Sequence, residues 1–132
     1  MQYRSGELPL PFTKRSNMAT DNNRTSKIDI QVHLDEQNVP EKITWSASDA
    51  PFDGEKETKS IMVGFWDAEE SNALRIDLWT KEMRVDEMDR FYYQTFLTMA
   101  DSYLRATGNK KGADDMKQLA YAFGKNSGVI QE

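Results

Sequence analysis

The chain has no cysteine, one histidine and no apolar run of the roughly 18 residues that a membrane-crossing helix requires. Without cysteine, disulfides and thiol catalysis are excluded, and a reducing, cytoplasmic compartment is the simpler expectation. Between Met1 and Ser26 there is no continuous apolar stretch of the kind a secretory leader carries, so a soluble protein with no direct membrane insertion is expected. Positive charge is in short supply, with 17 Lys and Arg against 22 Asp and Glu and a net charge of −5. Phosphate contacts need clustered cations, so nucleic acid is not an expected partner. No Gly-rich phosphate loop, no nucleophile beside a base and no ligand set at metal spacing occurs, which leaves no cofactor or metal to expect.

What the chain does have is globular in character: 30% charged and 38% hydrophobic residues over 132 positions, enough for one domain with one modest core. Residues 1–26 stand apart. They hold Pro9, Pro11 and a polar run from Thr20 to Ser26, follow neither hydrophobic period, and read as a disordered N-terminal arm. Arg4, Lys14, Arg15 and Arg24 against Glu7 and Asp21 give this arm +2, so the remainder carries −7. Leu8, Leu10 and Phe12 form an apolar triplet suited to docking, while Met18 offers an alternative start.

From Lys27 the pattern becomes regular. Ile28, Ile30, Val32 and Leu34 alternate with polar residues, the period of two that sets one strand face on a core. Turn residues at 35–38 lead to a second strand, Glu41 to Ala47. A longer third strand is expected from Lys56 to Trp66, with Gly64 as a candidate bulge. After the polar reversal 67–72, a fourth strand places Leu74, Ile76 and Leu78 inward and Arg75, Asp77 and Trp79 outward.

At Val85 the period changes to 3.6. Val85, Met88, Tyr92, Phe96, Met99, Tyr103 and Ala106 share one face of a helix of about 22 residues, about 33 Å long, with Asp86 and Glu87 at its positive end and Gly108 as its stop. Met116, Leu119, Ala120 and Phe123 define a second helix, with Asp114 and Asp115 in its first turn and Gly124 closing it. The expected fold is α+β: a four-stranded antiparallel sheet followed by two C-terminal helices packed on one face, occupying residues 27–127, with a flexible tail at 128–132.

Few residues suggest chemistry. His33 lies on the polar face of the first strand, where partners for metal or acid-base duty are lacking. Asp67, Glu69 and Glu70 do not repeat the spacing of a calcium loop and fit a solvated hairpin tip. Asp86 and Glu87 offer an acidic pocket for a small ligand or an enzyme, although helix-start electrostatics explains both. The aromatics are more telling. Trp66 and Trp79 oppose the inward parity of their strands, and Trp is a frequent interface anchor, so Trp79, Trp66, Arg75 and Asp77 form the candidate partner-binding set. Another copy of the chain and a different protein both remain open as the partner.

Several blocks carry a resemblance: Ile28, Gln31 and Val32 with the run Leu34 to Trp45, then Leu74 to Lys81, Val85 to Met88, Gln94-Thr95 and Met99 to Asp101. Together they resemble the gliding-motility protein GldC family of Bacteroidota over about residues 26–127. Arg84 stands where that pattern has proline and Tyr93 where it has histidine, which argues against a fixed catalytic group at either position. The resemblance implies a small cytoplasmic accessory without enzyme activity, partnered by other gliding-motility proteins and type IX secretion components. The element order is also similar to that of the export chaperone SecB, an acidic tetramer, without a shared motif.

Overall fold

The computed structural model describes residues 24–131, in the order β1 (Ile28–Leu34), β2 (Pro40–Ala47), β3 (Lys56–Thr58), β4 (Ser60–Asp67), β5 (Asn72–Trp79), α1 (Val85–Thr107) and α2 (Lys110–Ser127). Most of the arm assigned to residues 1–26, including the apolar triplet and Met18, lies outside the described residues. The chain divides into two compact units, strands up to Met83 and helices from Arg84 onward.

The strands do not form one four-stranded sheet. They form a three-stranded antiparallel sheet, β1-β2-β3, and a separate two-stranded one, β4-β5. The expected long third strand breaks at Lys59: β3 pairs with β2, whereas β4 pairs with β5. The break is fixed by hydrogen bonds on both sides. Thr58 Oγ1 donates to the Ser60 carbonyl at 3.1 Å, the buried Ser60 Oγ donates to Leu78 O at 3.1 Å, and Thr80 N donates to Lys59 O at 2.8 Å. These satisfy polar groups that leave the ladder where the chain changes sheets. Gly64 is not a bulge; it pairs in register with Arg75. The irregularity lies between His33↔Lys42 and Leu34↔Pro40, where Glu41 is the extra residue.

The centre of the strand unit is β2. Ile43 is fully buried and is the largest fully buried side chain among the described residues. Trp45 and Phe52 meet at right angles with ring centroids 5.1 Å apart, and Lys56 Nζ lies 5.4 Å from the Phe52 ring centroid, so the loop after β2 folds back over Trp45. The buried Asp49 binds Arg24 at 3.2 Å and accepts from Ser26 Oγ, tying the first described residues to that loop. A clasp joins the two sheets: Lys81 N donates to Pro40 O at 3.2 Å, and Lys81 Nζ donates to Asp35 Oδ2 at 2.7 Å. With Gln37 and Val39 N–H groups on its other oxygen, Asp35 is held down at about pKa 2, chiefly by the Lys81 ammonium.

In the helical unit, α1 is preceded by its N-cap residue Arg84, whose N–H donates to Glu87 Oε1 at 3.0 Å. This is half of a capping box, since arginine has no acceptor to return the bond. Gly108, at φ 73, ends it as expected. The second helix starts earlier and ends later than its apolar stripe suggests. Asn109 Oδ1 accepts from Gly112 N at 2.9 Å, so Asp114 and Asp115 fall beyond the first turn. Gly124 is no stop. It is buried within α2, where an added Cβ would stand 2.6 Å from Ile130 and 2.8 Å from Tyr93. Gly128, at φ 85, is the terminator, and Ile130 N donates back to Gly124 O at 2.9 Å, so residues 128–130 cap the helix. Phe96 meets Phe123 edge-on at 5.3 Å and Tyr92 at 6.0 Å, while Ala100, Ala113 and Ala120 fill the buried positions.

Candidate functional site

The β4-β5 ladder gathers the four residues singled out by parity. Its register sets Ser60 opposite Trp79, Met62 opposite Asp77, Gly64 opposite Arg75 and Trp66 opposite Ala73. Cross-strand partners and every second residue share a face, so Trp66, Arg75, Asp77 and Trp79 lie on one side of the hairpin. Both tryptophans are open to solvent, Trp66 at 68% and Trp79 at 53%. Arg75 grips Asp77 along the same strand with Nε to Oδ2 at 3.1 Å and Nη2 to Oδ1 at 2.8 Å. That bidentate bond holds the Asp77 carboxyl below its ordinary range. The guanidinium also lies over Gly64, where an added Cβ would be 3.5 Å from Nη1. A flat, locally neutralised polar centre between two indoles is thus presented.

Beside it, Trp79 and Leu78 line a groove of about 370 Å³ with Val39, Pro40, Asp77 and Lys81. The clasp between the sheets forms one wall.

The opposite face differs from expectation. Ile61↔Leu78, Val63↔Ile76 and Phe65↔Leu74 make an entirely apolar ladder, yet Phe65 (52%), Leu74 (50%) and Ile76 (47%) are exposed rather than buried. The alternation that assigns Leu74 and Ile76 to an inward face is correct about their sharing a side. Among the described residues, β4 and β5 each pair only with one another, and burial fades from Ser60 toward the tip.

The helical unit carries an apolar groove of about 340 Å³ lined by Phe96, Met99, Met116, Leu119 and Phe123. These residues were legible as helix stripes; that part of the stripe stays open carries no signal in the spacing.

The acidic alternative has a different geometry. Asp86 is 62% exposed and bonded to Arg84 at 2.9 Å, with Arg90 at 3.7 Å, and these cations hold its carboxyl below the ordinary range. Glu87 is spent on the helix start. A general acid at neutral pH needs the opposite displacement. A hollow of about 220 Å³ beside Asp86, Asp89 and Arg90 is closed on one side by residues 127–129 and Gln131. His33 lies in the β1 ladder opposite Lys42. Among the described residues, no group of three or more His, Asp or Glu side chains lies close enough to hold a metal ion, and no helix is long and apolar enough to cross a membrane.

Antiparallel sheets followed by two C-terminal helices define a small α+β protein. The family described as gliding motility-associated protein GldC-like matches residues 40–128, about two-thirds of the chain, and the protein belongs to that family. Neither the curated proteins nor the solved structures gave a match.

Proposed function

We propose that this protein is a non-enzymatic, cytoplasmic accessory of bacterial gliding motility, an adaptor or chaperone-like protein that binds gliding and type IX secretion components. Family membership supports the motility setting. The observation that carries the binding role is the alignment of Trp66, Arg75, Asp77 and Trp79 on one face of the β4-β5 hairpin, with both indoles more than half exposed. Exposed tryptophans flanking a paired arginine are the composition of an interface centre, where aromatic anchors dominate binding and charge is neutralised before desolvation.

In a gliding host, Trp79→Ala together with Trp66→Ala should leave the protein folded and at normal abundance but reduce colony spreading and recovery of motility proteins in pull-downs. Lys111→Ala, on an exposed position of α2, should spread normally. Full spreading by the double tryptophan variant would remove the hairpin face from the function.

A further inference from the structure

We propose that two copies of this chain join through β1, edge to edge and antiparallel, about a twofold axis at Gln31. Among the described residues, β1 is paired on one side only, lying at the end of the β1-β2-β3 sheet. The phase of the ladder determines what its free edge offers. Ser48 N donates to Lys27 O at 2.9 Å, so the odd-numbered residues of β1 exchange hydrogen bonds with β2. Ile28, Ile30, Val32 and Leu34 therefore turn their N–H and C=O groups outward. The extra residue at Glu41 belongs to β2, so the alternation along β1 is unbroken.

Free edges are ordinarily blunted by proline, by an inward charge or by a bulge in the edge strand itself. Between Ile28 and Leu34, β1 has no proline and no bulge of its own, its one carboxylate, Asp29, is paired with Lys27 at 3.7 Å, and its apolar side is open, with Ile28 at 52% and Leu34 at 50% exposure. It is a strand prepared for pairing.

The strand's own sequence identifies the occupant as a second copy. With the axis at Gln31, outward-turned Ile28 meets the partner's Leu34, and Ile30 meets the partner's Val32. On the other side Asp29 meets the partner's His33, carboxylate against imidazole, and Lys27 meets the partner's Asp35. Only shifts of the axis by whole residues keep outward groups opposite one another. Moving it to Val32 sets Asp29 against the partner's Asp35, carboxylate against carboxylate, and moving it to Ile30 sets Asp29 against the partner's Gln31. The first shift opposes like charges and the second gives up the carboxylate–imidazole pair, so the Gln31 register is selected over its neighbours. A twofold interface needs such self-complementarity, with each pair occurring twice. This assembly uses a different edge from the hairpin face proposed for motility partners.

The absence of cysteine from the full chain permits a direct test. Gln31 sits at a non-hydrogen-bonded pair, whose Cα atoms are about 4.5 Å apart, within disulfide reach. Gln31→Cys should oxidise to a disulfide-linked dimer. Asp29→Cys alone should stay unlinked, but should form a mixed disulfide with His33→Cys chains when the two are combined. Light scattering should show the unmodified protein with an even number of copies, and Ile30→Pro, which removes an outward N–H while sparing the β2 bonds, should halve that number. A monomeric unmodified protein, or cross-linking of Asp29→Cys as complete as that of Gln31→Cys, would overturn the proposal.

Discussion

β2 and the β4-β5 hairpin have the same alternating pattern but opposite fates. In β2, Ile43 is fully buried and Thr44 beside it is 5% exposed, because strands pair on both flanks and the 48–55 loop folds over Trp45. In the hairpin, Phe65, Leu74 and Ile76 alternate as strictly and stay about half exposed. Alternation reports which residues share a face. Whether that face is covered depends on the number of layers and neighbouring strands, which lie elsewhere in the chain.

The largest effect should come from the covered side of this contrast. Ile43→Ala removes a fully buried branched side chain and should cost about 2 to 5 kcal/mol, read as a lower urea midpoint. A loss below about 1 kcal/mol would erase the distinction between the two regions.

A second test uses the helical unit, where the covered position is a glycine. Gly124→Ala places a methyl 2.6 Å from Ile130 and 2.8 Å from Tyr93, and such overpacking costs about 1 to 3 kcal/mol. The better helix propensity of alanine returns up to about 1 kcal/mol, so net destabilisation is expected in thermal unfolding. A raised melting temperature would mean that Ile130 moves aside freely.

Leu74→Ala sharpens the exposed side. Since half of the side chain already meets water, the loss should stay near 1 kcal/mol, well short of the Ile43→Ala effect. Equal losses in dilute protein would show that the hairpin's apolar face is covered in solution.

The smallest effect should come from the clasp at the exposed surface. Asp35 titrates near 2, below its ordinary 3.8, so its pairing with Lys81 supports the fold fully above 3.8 and is lost as pH falls through 2. In urea titrations from pH 5 downward, the gap between the unmodified protein and Lys81→Met should narrow through this window and close at its lower end. A gap unchanged at pH 2 would assign the role of Lys81 to its methylene stem.

Much of this fold is legible from the sequence. The first strand, the start of α1 and its glycine stop appear where period and caps place them, because each is decided by residues within a few positions. The break at Lys59 is not legible. Lys56 to Trp66 reads as one strand, and only the bonds that Lys59 and Ser60 make with Thr80 and Leu78, about 20 residues away, divide it. Gly124 is misread for a related reason: a glycine near the end of a stripe signals a stop unless something packs against it, and Ile130 and Tyr93 do. At the candidate site, parity alone brings together Trp66, Arg75, Asp77 and Trp79, whereas the open apolar ladder behind them has no local signature.

The clasp at Lys81 also bears on how quickly the strands assemble. Within each unit, the pairings of β1 with β2, β2 with β3, β4 with β5 and α1 with α2 all join successive elements, so each can close a short loop in microseconds. The contact between Lys81 and Asp35 spans 46 residues, and with Lys81 N to Pro40 O it joins sheets that otherwise zip up separately. Closing that span carries the larger chain-entropy cost and has only a few surface bonds to offset it at first. The docking of the two finished sheets should therefore set the rate at which the strand unit becomes native, and substitutions at Lys81 or Asp35 should slow folding more than those at the 67–72 turn.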